Sequence, residues 1–491
     1  MMRTTLNRRR SRTGCSILAL ATVLAVGASP AAGQSFQGTG TFTSGTGTIS
    51  ASGNTTSISV TSPTAVINWI PTDNAVNANV PIAFQPAGTF ADFSGGGNYA
   101  VLNRINVADA SRVIQLDGTI RTVASGVLDG TGSIYFYSPS GFLLGGSSVI
   151  NVPSLVLSAL PIVTDGSGNF IIGADRSVTF GPAVNATASI TTNPGSTITA
   201  NMTGSYVAMV APRVVHHGTI TTNGQAALVA AEAATINFSP DGLFDISVTT
   251  GTTDANGIAL HGDITGQAST GAGDNNRIYA VAVPKNDALT MVIGSGADLG
   301  FEIAGAANVV GNAIVLSAGH NVTDGLVNAQ PTSATSEAAM TINAPRATSA
   351  VTAVASGNMH LFANAGQTST FASNVTLRGD NQVWANASGA GSLLSITGNL
   401  TMTSTETGVG AGASGQGGFV ALYASPSGTV SVGGNALLES YGFGAASSTS
   451  GINGGSGLGG DVWVQSEGSS SLTINGTLTA TSAGQGGNAT V

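Results

Sequence analysis

The chain has 491 residues, of which 8% are charged and 5% are aromatic, and glycine occupies 69 positions. Low charge joined to ordinary hydrophobicity excludes an intrinsically disordered chain, in which low hydrophobicity accompanies high net charge. Lys and Glu are sparse, whereas Val, Ile, Thr, Gly and Asn are abundant. This composition favours strands and turns over helices and predicts an all-β fold.

The first segment has the pattern of a secretory signal peptide. Five arginines precede the apolar stretch 15–28, and small residues follow it, which predicts a signal peptide at 1–33 with cleavage after Gly33. Removing it takes away the one cysteine and leaves nine basic against 23 acidic residues, a net charge of −14. Disulfides are therefore excluded, nucleic acid and anionic membranes are disfavoured as partners, and no later stretch predicts a transmembrane helix.

Short apolar runs separated by corner residues follow the predicted signal peptide. Between positions 50 and 160 they include five motifs, which no helical pattern interrupts. In chain order the motifs are INW at 67–69, IAFQP at 82–86, LNRI at 102–105, SRVIQLDGTI at 111–120 and GSIYFYSPSGFLLGGSSVINVPSLVLSAL at 132–160. Runs of this length between Gly, Pro and Ser are typical of short strands joined by tight corners.

Two phrases recur along the rest of the chain. One begins GTI or GTL, at positions 118, 218 and 476, with variants at 262 and 398, and the other resembles GxVxLxA, at 204, 224, 417 and 459. Ile198 and Ile220 are equivalent and lie 22 residues apart, about the length of one three-sided turn of a β-helix. Val207 and Met209 are predicted to point inwards and to stack on the next turn.

The repeats predict an all-β, right-handed parallel β-helix (β-solenoid) with an N-terminal cap and extra-helical loops or hairpins. Stacking at the usual strand spacing predicts a rod about 75–100 Å long. A propeller is disfavoured because the 42-residue distance between Gly417 and Gly459 is explained by an enlarged loop. The chain stops within a repeat phrase, so a longer shaft is expected. Outward faces are expected to be polar, rich in Thr, Ser and Asn.

The region from about 50 to 160 resembles the N-terminal secretion domain of two-partner-secreted exoproteins, the filamentous haemagglutinin or haemagglutination-activity domain. The resemblance rests on the five motifs and their order. It implies a secretion domain at 34–270 and a β-helix repeat shaft at 271–491, in a secreted or cell-surface protein that is adhesin-like. It also implies a partner, an outer-membrane transporter barrel whose periplasmic recognition domains bind the N-terminal domain by β-augmentation.

The resemblance also implies which residues take part in transporter recognition. They are Asn68, Trp69, Asn103, Arg104, Ser138, Pro139, Ser140, Gly141 and Phe142. The chain departs from the family at the corner, where Ser-Pro-Ser-Gly-Phe replaces Asn-Pro-Asn-Gly-Ile. Serine supports a turn more weakly than asparagine does, but we expect the corner to form, with Gly141 adopting a positive φ. A structural alternative stays open: Asn103 caps a turn, Arg104 holds a loop and Trp69 packs the cap over the first turn.

No metal site and no cofactor is predicted. His216 and His217 are adjacent on a strand and point to opposite faces, and His261, His320 and His360 lie far from them in sequence. The glycine-rich stretch 454–463 is interpreted as a flexible loop rather than a calcium-binding repeat.

The chain is predicted not to be an enzyme. Its basic residues are scattered, and no carboxylate pair recurs at the turn spacing that hydrolases and lyases of this architecture would need. Two alternatives remain open: a β-helical polysaccharide-degrading enzyme, and the passenger of an autotransporter. A host or surface glycan or protein is a possible receptor, with no residue cluster marking its site.

Overall fold

The computed structural model of the chain describes residues 34–488, apart from gaps at 77–79, 125–126, 129–130, 174–175, 239–243, 270–274, 303–311, 329, 332–333, 335 and 448–452. The predicted signal peptide lies outside the described residues. Within them the regular structure consists of strands. Nothing in the described part of the chain forms a helix that is long and apolar enough to cross a membrane.

Three long sheets, which we name A, B and C, form the sides of a coil. Sheet A contains, in stacking order, Gly38–Ser44, Thr64–Pro71, Ala100–Ile105, Ser133–Tyr137, Ser154–Ser158, Tyr206–Ala211, Gln225–Ala230, Arg277–Ala282, Ala313–Ala318, Ala350–Ala355, Val375–Gly379, Leu400–Thr407, Ala436–Phe443 and Leu478–Gln485. Sheet B contains Gly47–Ser52, Thr55–Val60, Phe90–Gly95, Thr119–Ala124, Val149–Asn151, Thr197–Ala200, Thr219–Thr222, Asp263–Gly266, Asp298–Phe301, Arg346–Ala347, Thr368–Phe371, Leu393–Ile396, Thr429–Val432 and Ser471–Ile474, with Val127–Leu128 paired to its fourth strand.

The third side and two smaller sheets complete the architecture. Sheet C contains Ile82–Gln85, Ile114–Leu116, Gly141–Leu144, Ser189–Thr192, Arg213–His216, Ile258–Leu260, Leu289–Ile293, Ala338–Asn343, Met359–Asn364, Gln382–Ser388, Phe419–Ala424 and Val462–Ser466. A covering sheet contains Ser177–Phe180, Ala233–Asn237, Asp245–Thr250, Val322–Thr323 and Leu326–Val327. Gly415–Gln416 and Gly457–Leu458 form a short pair.

The chain winds as a parallel β-helix, as the repeats predict. Ile198 pairs with Ile220 in parallel register, and Val207 and Met209 belong to the inner core. The first strands of sheets A and B pair antiparallel with the second ones and form the predicted N-terminal cap. The three sheets continue on both sides of position 270, and the domain boundary placed there stays a prediction.

The rod is shorter than predicted. Sheet A has 14 strands among the described residues, and stacking at about 4.8 Å gives a length on the order of 60 Å. The prediction assumed turns of about 22 residues, but the register pairs Ile150 with Ile198 and Ile220 with Ile264, so some turns are roughly twice as long. The extra residues form the covering sheet and the loops around it, which add no height.

The recurring phrases do not mark one fixed side of the coil. The phrases at 118, 218 and 262 begin strands of sheet B, whereas those at 398 and 476 begin strands of sheet A. The second phrase lies in sheet A at 204 and 224 but in sheet C at 417 and 459. Each phrase encodes only a corner followed by a short strand, and every side of the coil requires that pattern.

The sequence predicted a flexible loop at 454–463, but the structure contains paired strands there. Gly457–Leu458 pairs in parallel with Gly415–Gln416, and the following strand Val462–Ser466 pairs with Phe419–Ala424. A Cβ atom on Gly457 would lie 2.2 Å from the carbonyl oxygen of Gln485. The glycines therefore allow close packing of neighbouring backbones.

The outward face of sheet A carries a second core, where a polar surface was expected. Alternate residues such as Leu102, Val210 and Val281 point out of the coil and pack under the covering sheet, against residues such as Phe244 and Ile246. Both faces of these strands are buried, which explains why YVAMVA, QAALVA and RIYAVA read as continuous apolar runs without alternation. From strand Val375–Gly379 onwards polar residues alternate again in sheet A, where no strand among the described residues covers its outward face.

Aromatic rings fill the coil at its N-terminal end. The ring of Phe36 stacks on Phe84 at 4.9 Å between centroids and meets Trp69 edge-on at 5.1 Å. Phe136 lies 6.1 Å from Phe36 and 6.4 Å from Phe142. Later turns use mainly Ala, Val, Ile, Leu and Met, with Phe301 and Phe371 as the aromatic exceptions in the inner core. The large rings close the first turns, where the cap strands leave no preceding turn to pack against.

Candidate functional site

Trp69 and Asn103 form a buried hydrogen bond inside the first turns. Both side chains are fully buried, and the indole Nε1–H donates to Asn103 Oδ1 at 3.0 Å. Asn103 Nδ2 donates in turn to the carbonyl oxygen of Tyr135, in the next turn, at 3.2 Å. The pair therefore joins three successive strands of sheet A from within. This geometry agrees with the structural alternative for Trp69, which packs the cap over the first turn. Asn103, however, links neighbouring strands and does not cap a turn.

Arg104 and Asn68 lie on the outward side of the same strands. They are register partners, and the next partner of Arg104 is Tyr137, immediately before the Ser-Pro-Ser-Gly corner. Arg104 Nη2 donates to Thr164 Oγ1 at 3.0 Å and so holds the loop that follows strand Ser154–Ser158. Partial burial lowers the pKa of Arg104. The structure thus brings the predicted residues together on three consecutive turns.

The corner at 138–141 is a tight turn that leads from sheet A to sheet C. Gly141 N–H donates to the carbonyl oxygen of Ser138 at 3.0 Å, and the hydroxyl groups of Ser138 and Ser140 lie 2.9 Å apart. Gly141 has φ of +74°, as predicted for this position. Phe142, the next residue, points into the core and is fully buried. The Ser138 hydroxyl group therefore hydrogen-bonds within the corner, to the hydroxyl and the backbone N–H of Ser140.

Two further polar anchors come from motifs that the site prediction left out. Arg112, in the SRVIQ motif, is 2% exposed, and its guanidinium contacts both carboxylate oxygens of Asp73, at 3.1 and 2.6 Å. Gln85, in IAFQP, donates to Ser35 Oγ at 3.0 Å and thereby fixes the segment that enters the cap. Both residues belong to motifs that are recognisable in the sequence, but the sequence contains no indication of their contacts.

His216 and His217 point to opposite faces, as predicted, but His217 contacts His261. His216 is buried in the coil and His217 points outwards, where its ring stacks on His261 at 4.9 Å. The longer turn between them places 217 and 261 side by side, which their separation in sequence concealed. Among the described residues, no group of three or more His, Cys, Asp or Glu side chains is placed to hold a metal ion.

We expect His216 to make the protein acid-sensitive. Thr192 Oγ1 already accepts from the N–H groups of His217 and Gly218, so its hydroxyl donates to His216 Nδ1 at 2.7 Å. The Nε2–H of His216 donates to the carbonyl oxygen of Asp263 at 3.2 Å, and these two bonds together fit the neutral ring. Burial lowers the pKa of His216 to about 4. As pH falls from about 6.5 to 4 the unfolded chain binds a proton that the folded chain excludes, so the free energy of unfolding falls by on the order of 2 kcal/mol.

Urea denaturation between pH 7.5 and 4.5 measures this dependence. The variant His216→Leu places at this position the residue type found at Leu144 and Leu260 in the same register column of sheet C. In this variant the dependence of the free energy of unfolding on pH should become weaker. The control His217→Gln, on the outer surface, should keep the wild-type slope. An unchanged slope in His216→Leu would assign the acid sensitivity to another group, such as buried His320.

Three carboxylates gather around one surface groove, although no carboxylate pair recurs at the turn spacing. The groove is lined by Glu337, Asp380 and Glu406 together with Arg378. Burial, with smaller contributions from the two glutamates, raises the pKa of Asp380 to about 6, while Arg378 opposes the shift. Asn381 Nδ2 donates to Glu337 Oε2 at 2.7 Å. These groups come from different turns and a corner, so no regular sequence interval links them.

No family model and no curated protein matches the chain. Among solved structures the chain is similar to the crystal structure of the HMW1 secretion domain from Haemophilus influenzae, with a TM-score of 0.38 and 16% sequence identity. The aligned part covers 92% of this chain and 99% of that one.

Proposed function

We propose that the chain is a secreted β-helical exoprotein, adhesin-like, whose N-terminal region directs export through a two-partner outer-membrane transporter. The observation that carries the proposal is the assembly of the five ordered motifs into one unit. Trp69, Phe84, Asn103, Phe136 and Phe142 come from four of those motifs and meet inside the first turns. Arg112, from the fifth motif, anchors the loop beside them.

The physical design suits export of an unfolded chain. The mature sequence has no cysteine, so no disulfide blocks threading, and each turn pairs mainly with its two neighbours. A solenoid of this kind folds progressively, one turn upon the last, as the chain emerges. The cap strands Gly38–Ser44 and Gly47–Ser52 lie at the ends of sheets A and B. In extended form they offer backbone groups to a transporter domain that binds by β-augmentation.

Co-expression tests the proposal. The full chain is produced in a bacterial host that lacks two-partner transporters, either alone or with the transporter barrel encoded in its own genome. We expect the protein in the culture medium only when the barrel is present. Equal release without the barrel would contradict the proposal, and a membrane barrel found in the same polypeptide would favour the autotransporter alternative.

The proposed role is structural and non-enzymatic. The groove around Asp380 is the one observation in favour of the alternative, because a carboxyl group with a raised pKa beside a second carboxylate is what general acid catalysis requires. Purified protein should show no turnover of neutral or acidic polysaccharides at pH 5–8, with or without calcium. Turnover that Asp380→Asn abolishes would establish the enzyme instead.

A further inference from the structure

Aromatic rings form a continuous stripe on the outside of sheet C. The rings of Trp384 and Phe419 lie 5.9 Å apart and those of Phe419 and Trp463 lie 5.4 Å apart, while His360 lies 5.8 Å from Trp384. The chain has three tryptophans. Trp69 is buried, whereas Trp384 and Trp463 are 42% and 53% exposed. Exposed tryptophans that line up over consecutive turns indicate a contact surface rather than chance exposure.

The register of sheet C orders these rings along the rod axis. His360 pairs with Trp384, Trp384 with Ala421, and Ala421 with Trp463. Ala421 is buried although it points outwards, because Phe419 and the tryptophans surround it. Phe419 meets both indoles at steep angles, 76° and 69°, and fills the space between them. The indoles are therefore held in place before any partner binds, which reduces the entropy lost on binding.

Polar side chains run beside the aromatic stripe. The adjacent outward column contains, in register, Phe362, Asn386, Tyr423 and Gln465. Glu467 accepts a hydrogen bond from Gln465 Nε2 at 2.9 Å and also binds the Tyr423 hydroxyl, which raises the pKa of Tyr423. The surface thus alternates rings with amides, and the neighbouring carboxylate of Glu467 already has partners within the fold.

We propose that this surface binds a neutral, extended polysaccharide of β-linked hexoses, which gives the proposed adhesin its class of receptor. The C–H faces of such sugars stack on indole rings, and their hydroxyl groups bond to amides at the ring edges. His360, Trp384 and Trp463 lie in one register column of sheet C, along the rod axis, so the rings match an extended, ribbon-like chain rather than a coiled one. The two columns carry no Arg or Lys, and the mature chain has a net charge of −14, which disfavours an acidic glycan.

A protein partner fits this surface less well. Protein interfaces enrich Arg and Met together with aromatic residues. The two outward columns contain neither Arg nor Met, and their members between the rings are Asn, Gln and Ala. Their polar groups suit a partner with many hydroxyl groups.

Titration of the purified protein with cellohexaose, chitohexaose and polygalacturonate tests the inference, with tryptophan fluorescence and calorimetry as readouts. Because the third tryptophan is buried, a change in emission reports on the stripe. We expect saturable binding of at least one neutral hexasaccharide, weakened about tenfold by either Trp384→Ala or Trp463→Ala and abolished in the double variant. Tyr441→Ala, an aromatic change on sheet A, should leave the affinity unchanged, and circular dichroism checks that all variants are folded.

Three results would overturn the inference. They are an absence of saturation with both neutral sugars, tighter binding of polygalacturonate, and an affinity that the double variant does not alter. Sedimentation distinguishes another occupant, because concentration-dependent dimers that the double variant abolishes would identify the stripe as a contact between two copies of the chain. The assay uses protein that has not passed through a transporter, so failure here leaves the export proposal intact.

Discussion

Gly141→Val should abolish folding of the first turns and, with it, export. Gly141 has φ of +74°, which β-branched residues adopt at high cost. A Cβ atom there would also lie 2.0 Å from the carbonyl oxygen of Ser189, a backbone atom held in sheet C. Strain and overlap together should cost about 3 kcal/mol or more. Thermal unfolding of the purified variant and the amount of protein in the culture medium measure the effect.

Two other glycines separate the causes. Gly88 has φ of +75° but no atom within 4 Å of its added Cβ, so Gly88→Ala should cost only the backbone strain, about 1 kcal/mol. Gly96 has neither a positive φ nor a close neighbour, and Gly96→Ala should be neutral. Wild-type stability and export in Gly141→Val would show that the corner tolerates a side chain and that the Ser-Pro-Ser-Gly turn does not control the register of sheets A and C.

Trp69→Ala should be the most destabilising single truncation in the cap. It removes the indole from a cluster that includes Phe36 and Phe84 and leaves Asn103 Oδ1 buried without its donor. Lost packing costs about 3–5 kcal/mol, and the unpaired amide oxygen adds about 1–3 kcal/mol. Urea denaturation measures the loss. Because each turn stabilises mainly its neighbours, the unfolding transition should also broaden as the N-terminal turns melt first.

A double-mutant cycle isolates the hydrogen bond from the packing. Trp69→Phe keeps an aromatic ring but removes the donor, and Asn103→Leu removes the acceptor while keeping the volume. If the bond matters as the geometry indicates, the double variant should be less destabilised than the sum of the single ones by about 1 kcal/mol or more. Additive effects would show that the two residues contribute through packing alone.

The sequence predicted correctly those features that depend on a few neighbouring residues or on one regular repeat. The positive φ of Gly141 followed from the turn residues, and the pairing of Ile198 with Ile220 followed from a clean repeat of 22 residues. The opposite orientation of His216 and His217 followed from strand alternation. In each case the information lay within one turn of the coil.

The sequence did not predict the candidate sites whose residues are brought together by extra residues within individual turns of the coil. His217 meets His261 only because the turn between them carries extra residues, and Asp380 meets Glu337 across a corner. The sequence also did not predict the aromatic stripe. Trp384 and Trp463 are separated by two turns of the coil that differ in length, and Phe419 lies in a different register column from the tryptophans. Irregular turn lengths remove the constant interval on which detection of a repeat depends.

The sequence by itself determined that this protein is all-β, that its strands coil in one direction, and that a glycine corner follows Tyr137. Period-two alternation, corner residues and repeat spacing are local properties, and they suffice for those conclusions. Only the tertiary structure decided which sheet each repeat enters, that sheet A is buried on both faces, and which side chains meet across turns. Those outcomes depend on the length of every insertion and on what packs over each face, which no short stretch of residues encodes.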